Sequence, residues 1–126
     1  MDLEDALHAF LEEKILLVSG QVYSEIAPEQ IKNNYLIHQK ISGNNGYAHD
    51  GPTGLLTSNY QFDSYAYKKS DAKAIIKQLK GEIDGYNGFM NGIRVQGVFL
   101  LDEDSDYEKD TKLHRLTAEY RFQHYE

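Results

Sequence analysis

Between Leu55 and Ile83 the hydrophobic period of the chain changes once, from two residues to about 3.6. Leu56, Tyr60, Phe62 and Ala66 fall on one side of an alternating pattern from Leu55 to Tyr67, with Thr57, Asn59, Gln61 and Asp63 on the other. That alternation predicts a half-buried strand. Ala72, Ile75, Ile76, Leu79 and Ile83 follow at helical spacing, with Ser70 placed to cap the helix and Gly85 where a left-handed C-terminal residue belongs. A strand that must bury one face and a helix that must bury one stripe satisfy each other by packing, so this stretch commits the chain to a sheet covered by helix.

The flanking segments extend the pattern. Leu3, Leu7, Phe10 and Leu11 predict an amphipathic helix from Asp2 to about Lys14, with Asp2, Glu4 and Asp5 at the end the helix dipole favours. Gln21 to Ile26 reads as a short strand before Ala27-Pro28, and Tyr35 to Ile41, rich in β-branched and aromatic residues, as a longer one. Ser42 to Gly54 is dense in Gly, Asn, Asp and Pro and reads as a loop. Tyr86 to Gly92 reads as a turn, Ile93 to Leu101 as a strand, and Leu116, Ala118, Tyr120 and Phe122 alternate with Thr117, Glu119 and Arg121 in a last strand. The order is helix, strands, helix, strands, with a strand-helix-strand step in the middle and a hairpin at the end. It predicts an α+β fold, a mixed and mostly antiparallel sheet packed by two helices. At 126 residues, with no repeat and no low-complexity linker, the expectation is a single domain over residues 1–126.

Charge narrows the partners. A formal net charge of −7 argues against a ligand whose affinity comes mainly from phosphates, because binding them needs a basic surface. The charge is uneven: residues 102 to 110 hold Asp102, Glu103, Asp104, Asp106, Glu108 and Asp110 against Lys109 and contribute −5, read as an acidic loop between the last two strands. No apolar run approaches the roughly 20 residues that cross a bilayer, and the start, Met1-Asp2-Leu3-Glu4-Asp5, is acidic where a signal peptide is basic. The expectation is a soluble chain without a membrane partner. The lack of cysteine suits a reducing compartment and removes thiolate chemistry. Ten tyrosines and no tryptophan leave two readings open, a wet protein interface or a tyrosine-rich sheet core.

Catalytic and metal-binding patterns are weak. His8, His38, His49, His114 and His124 show no zinc spacing, and His114 and His124 are roughly 33 Å apart along an extended strand. Asp102, Asp104 and Asp106 imitate the start of a calcium loop, but Tyr107 stands where that loop needs glycine and Leu113 where it needs glutamate. The glycines of Gly43-Asn44-Asn45-Gly46 and Gly51-Pro52-Thr53-Gly54 are followed by no Gly-Lys-Ser/Thr, and no serine sits in a Gly-x-Ser-x-Gly elbow. The reading is of a protein without cofactor, metal or catalytic set.

Asp50-Gly51-Pro52-Thr53-Gly54, then Gln61-Phe62-Asp63-Ser64-Tyr65-Ala66 in a strand, then a helix, then Asp106-Tyr107-Glu108-Lys109-Asp110-Thr111-Lys112-Leu113-His114-Arg115, resembles the siphophage tail-completion family. Its members are also called tail terminators or head-to-tail joining proteins. The resemblance spans nearly the whole chain in motif order. Lys109 departs from it, since relatives often carry proline after the Tyr-Glu pair. The resemblance implies a structural virion protein, not an enzyme. Such a subunit forms a hexameric ring with its own copies at the head-proximal end of the tail, assembled in the host cytoplasm. Its partners would be the tail tube protein and the head-completion or connector protein, with genome DNA passing through the channel without specific binding. The residues expected at interfaces are Asp50, Gly51, Pro52, Asp102, Glu103, Asp104, Asp106, Tyr107, Glu108 and Arg115. Two other classes stay open on the residues alone, a small-ligand-binding or enzymatic α+β domain and a generic interaction adaptor, because fold does not fix function.

Overall fold

The computed structural model describes residues 2–18, 20–26, 34–48 and 51–125, the side chains of 44–48 and 51–53 excepted. Helix α1 (Leu3–Lys14) is capped by Asp2, whose carboxylate accepts from the Asp5 N–H at 2.9 Å, and a single 3-10 turn follows at Leu16–Val18. Strands β1 (Val22–Ser24), β2 (Tyr35–Ala48) and β3 (Gly51–Ala66) lead to helix α2 (Lys69–Ile83), and β4 (Gly88–Met90), β5 (Ile93–Glu108) and β6 (Leu113–Tyr125) complete the order. The strands form one sheet in the sequence β1-β2-β3-β6-β5-β4. Only β1 runs parallel to its neighbour, β2; the other pairings are antiparallel. This is the expected α+β class.

Both helices lie on one face. Leu3, Leu7 and Leu11 of α1 and Ile75, Leu79 and Ile83 of α2 share one buried cluster with Leu36, Tyr60, Phe62, Val95, Val98, Tyr120 and Phe122 of the sheet. The rings of Phe62 and Tyr120, and of Tyr60 and Phe122, meet edge to face at 6.2 and 5.4 Å, the geometry ring quadrupoles favour. The tyrosines thus divide. Tyr60 and Tyr120 build the core, Tyr35 and Tyr65 stack on the opposite face of the sheet, and Tyr67, Tyr107 and Tyr125 are exposed.

Several sequence expectations need correction. The described residues of Ser42 to Gly54 are strand and not loop: Ser42 to Ala48 continues β2, Gly51 to Gly54 opens β3, and they pair from Ser42↔Asn59 to Ala48↔Gly51. Register shifts between Lys40 and Ser42 and between Asn45 and Tyr47 absorb the irregular residues, which is what bulges do in a long hairpin. The segment Tyr86 to Gly92 contains β4, joined to β5 by Asn91-Gly92 with φ of 47° and 90°, the left-handed pair a tight hairpin turn requires. Ser70 does not cap α2; Lys68 holds the N-cap position, and its carbonyl accepts from the N–H groups of Asp71 and Ala72. Gly85 does adopt the left-handed conformation, with φ of 71°, and its N–H donates to the Val98 carbonyl at 3.0 Å.

Among the polar contacts that fasten α1 to the sheet, one is buried at its β2 end. His8 Nδ1 lies 2.7 Å from Nε2 of the fully buried His38 on β2, and His8 Nε2 lies 3.1 Å from Glu12. One ring nitrogen of this pair donates and the other accepts, in a joint where His38 is shut away from water. Burial, reinforced by the neighbouring His8, lowers the His38 pKa from 6.5 to about 4. Below the unfolded value the unfolded chain binds a proton that the folded chain refuses, so the contribution is complete above about pH 6.5. It is lost as pH falls towards about 4, with a total of about 3 kcal/mol. In urea titrations across that window, wild type is expected to lose about 3 kcal/mol more than His38→Gln, which keeps a hydrogen-bond partner for His8 and does not titrate. Equal losses would show that His38 does not titrate against the fold.

Candidate assembly surface

The acidic segment is a strand, not a loop, and this decides what its charges can do. Asp102 pairs with Glu119, Asp104 with Thr117, Asp106 with Arg115 and Glu108 with Leu113, so β5 continues along β6 to the turn. Aspartate is a poor strand former, but a charged strand is tolerated where it forms the rim of a sheet. β4 covers β5 only from Ile93 to Val95, which leaves the acidic half at the edge. A register shift between Leu100 and Asp102 turns that half over. Alternation then sends Asp102, Asp104, Asp106 and Glu108 to the face opposite the helices, and Glu103, Ser105 and Tyr107 to the helix side.

The two faces are compensated differently. On the helix side Glu103 pairs with Lys80 of α2, and a groove of about 390 Å³ between α2 and β5 is lined by Lys69, Lys73, Ile76, Glu103 and Leu116. The open face carries Asp102, Asp104, Asp106 and Glu108 of β5, Glu119 of β6 and the buried Asp63 of β3. Arg115 stands among them, 3.7 Å from Asp106 and alongside Tyr65, and Arg121 lies further along the same face. Asp63 is held internally, accepting from the Thr117 hydroxyl at 2.5 Å and the Gln61 amide at 3.0 Å. At the far end of this face Tyr35, Ile37, Tyr65 and Leu113 form a small apolar cluster. Burial, with Tyr65 and Glu108 adding to it, pushes the Tyr35 hydroxyl up to about 12. Burial also raises Tyr65, against the opposing pull of Arg115.

The aspartates also guard the strand's edge. Asp102, Asp104 and Asp106 each accept from the N–H of the next residue, Glu103, Ser105 and Tyr107, at 2.8 to 2.9 Å. In an antiparallel ladder alternate residues point their backbone groups away from the partner strand. The N–H groups of Glu103, Ser105 and Tyr107 donate to these side chains, which marks them as the ones directed to the rim, each with a carboxylate folded over it. An open ladder of donors is a template for pairing with another chain, and carboxylates at alternate positions remove it.

The interface expectations therefore fall in two places. Asp50 lies outside the described residues. Gly51 and Pro52 open β3 at the tip of the β2–β3 arm, which extends past the Leu55↔Tyr125 pair that ends β6. Asp102, Asp104, Asp106, Glu108 and Arg115 lie towards the other end of the sheet on its open face, with Glu103 and Tyr107 turned to the helix side. The two groups are separated by up to about 50 Å of strand. Three contributors were not singled out in the sequence: Asp63 and Glu119, whose parity places them beside the acidic strand, and the lysines of α2, whose i, i+4 spacing was readable. The buried Ser58 and His124, 2.8 Å apart across β3 and β6, link strands inside the core. Among the described residues no group of three or more His, Cys, Asp or Glu side chains could hold a metal ion.

A family model described as tail completion protein gp17 matches residues 5–125. No curated protein sequence matches the chain. Among solved structures, the virion of a native gene transfer agent (GTA) particle contains a chain that superimposes with a TM-score of 0.75 at 15% identity. The match covers 98% of this chain and 95% of that one. At that identity the likeness shows a shared fold.

Edge masking has a direct consequence. Replacing Asp102, Asp104 and Asp106 together by Val keeps a good strand sequence but uncovers three rim donors, whereas replacement by Asn keeps an acceptor oxygen at each. Light scattering is expected to show the Val variant aggregating at concentrations where wild type and the Asn variant stay dispersed. A dispersed Val variant would mean that the carboxylates do not protect the edge.

Proposed function

The chain belongs to the tail completion protein gp17 family, and from that premise we propose that it forms a ring of six copies at the head-proximal end of a tail tube, ends the tube's growth and joins it to the head connector. As a tail completion protein it is a structural component of a virion tail and not an enzyme. What carries the finer reading is the family match over residues 5–125 taken with the shape of the sheet. The β2–β3 arm projects at one end and the charged β5–β6 hairpin stands at the other. A subunit that joins two bodies needs two separated contact regions, and long hairpins built on a rigid core supply them.

In this reading the whole of residues 1–126 acts as one unit, assembled in the host cytoplasm. Gly51 and Pro52 at the tip of the arm, with Asp50 next to them in sequence, make one contact region. Asp102, Glu103, Asp104, Asp106, Tyr107, Glu108 and Arg115 make the other, and tail tube protein, connector protein and neighbouring copies share them. A net charge of −7 fits a channel through which DNA passes without being held, since its phosphates find no basic surface to neutralise them. No helix among the described residues is long and apolar enough to cross a membrane.

Particles assembled without this chain test the reading. Electron microscopy is expected to show filled heads separate from tails, with tubes of uncontrolled length, and reconstruction of complete particles to place six copies between tube and connector. Joined, length-controlled tails in its absence, or density for the chain elsewhere on the particle, would overturn it.

A further inference from the structure

The open face of the sheet is mostly acidic, with Arg115 and Arg121 as its cations, whereas one flank of α2 is basic, its acidic residues Asp71 and Glu82 lying on the other flank. Lys69, Lys73 and Lys77 stand at successive helical turns of α2, all exposed, and among the described residues none of them forms an ion pair. Beside them Ser70, Ala74 and Gly81, also exposed, form the outermost line of the helix, so nothing bulky stands between the lysines and a flat partner. On the open face Asp102 is directly opposite Glu119 in the β5–β6 register. Two carboxylates so placed repel each other, and an opposite charge laid over them relieves this.

We infer that the acidic open face of one copy docks against the lysine-bearing flank of α2 on a second copy of this chain. The inference deepens the ring reading and rests on it, by naming which faces of neighbouring subunits meet. Charge decides the geometry. Because the two patches lie on opposite sides of the sheet, a two-fold contact through either side would set carboxylates against carboxylates or lysines against lysines, whereas face-to-back stacking sets carboxylates against lysines. Face-to-back contacts are heterologous, and heterologous contacts related by a closing rotation generate rings. The contact also has an apolar component. Phe99, opposite Arg121 on the open face, is 51% exposed, and lysine stems together with Ala74 can cover such a ring while the ammonium groups reach the carboxylates. Because identical subunits of charge −7 repel at long range, association in any other orientation is disfavoured most at low salt.

Charge exchange tests this. One variant carries Asp102→Lys and Glu119→Lys, a second carries Lys73→Glu and Lys77→Glu, and a third carries all four changes. Circular dichroism and thermal melts establish that each is folded, and sedimentation velocity with native mass spectrometry at low and high sodium chloride measures assembly. Wild type is expected to form closed oligomers that weaken with salt. Each double variant should need about tenfold more protein to assemble, because attractive pairs become repulsive, and the four-change variant should recover wild-type assembly. Folded double variants that assemble like wild type, or a folded four-change variant that recovers nothing, would overturn the docking geometry and leave the ring reading standing. A wild type that stays monomeric under every condition would overturn both.

Discussion

Two hairpins become one sheet through the antiparallel ladder between β3 and β6, which runs from Leu55↔Tyr125 to Ala66↔His114. Without it β2–β3 and β5–β6 would be separate two-stranded ribbons, each marginal in water. The ladder sets Tyr60 beside Tyr120 and Phe62 beside Ala118 on the inner face, and this aromatic surface is what both helices cover. Its partners are far apart in sequence, so a substantial loop-closure entropy stands against it, and burial of large rings is what offsets that cost. Everything peripheral hangs from this centre: the arm beyond Leu55, the acidic rim carried by β6, and the His8–His38 joint on β2.

The parts of the fold legible in the sequence are those in which burial dictates pattern. The stripe Ala72, Ile75, Ile76, Leu79 and Ile83 is buried throughout, and the alternations of β3 and β6 place Tyr60, Phe62, Tyr120 and Phe122 inside, as read. Local composition misled where the partner strand, not the core, decides structure. Glycines and asparagines between Ser42 and Gly54 carry no hydrophobic period, yet each arm of the hairpin supplies the other's backbone partners, and bulges absorb the mismatch. The aspartates of 102 to 106 resist strand propensity in the same way, tolerated because they sit on an edge. The Asn91-Gly92 turn was legible, since that dipeptide is the strongest short hairpin signal, and the short strand it serves hides in a stretch dominated by turn residues.

Whether the acidic segment is strand or loop changes its meaning. A loop would spread its charge as a mobile cloud. A strand divides it, giving Glu103 to Lys80 of α2 and leaving Asp102, Asp104, Asp106 and Glu108 as a row on the far face with Glu119. The same carboxylates close the edge against unwanted pairing. The proposed ring requires copies to associate in one way only, and a blocked edge beside a charged face is a physical means of allowing face contact while excluding strand addition.

The division of charge depends on β5 continuing to Glu108, and residue-resolved amide hydrogen exchange on the free subunit tests that most directly. In the ladder, Asp104 and Asp106 direct their amides to β6 and are expected to exchange slowly, alternating with faster exchange at Ser105 and Tyr107, whose amides face the rim. Uniformly fast exchange from Asp102 to Glu108, alongside protected amides in the β3–β6 ladder, would return the segment to a loop and contradict the account.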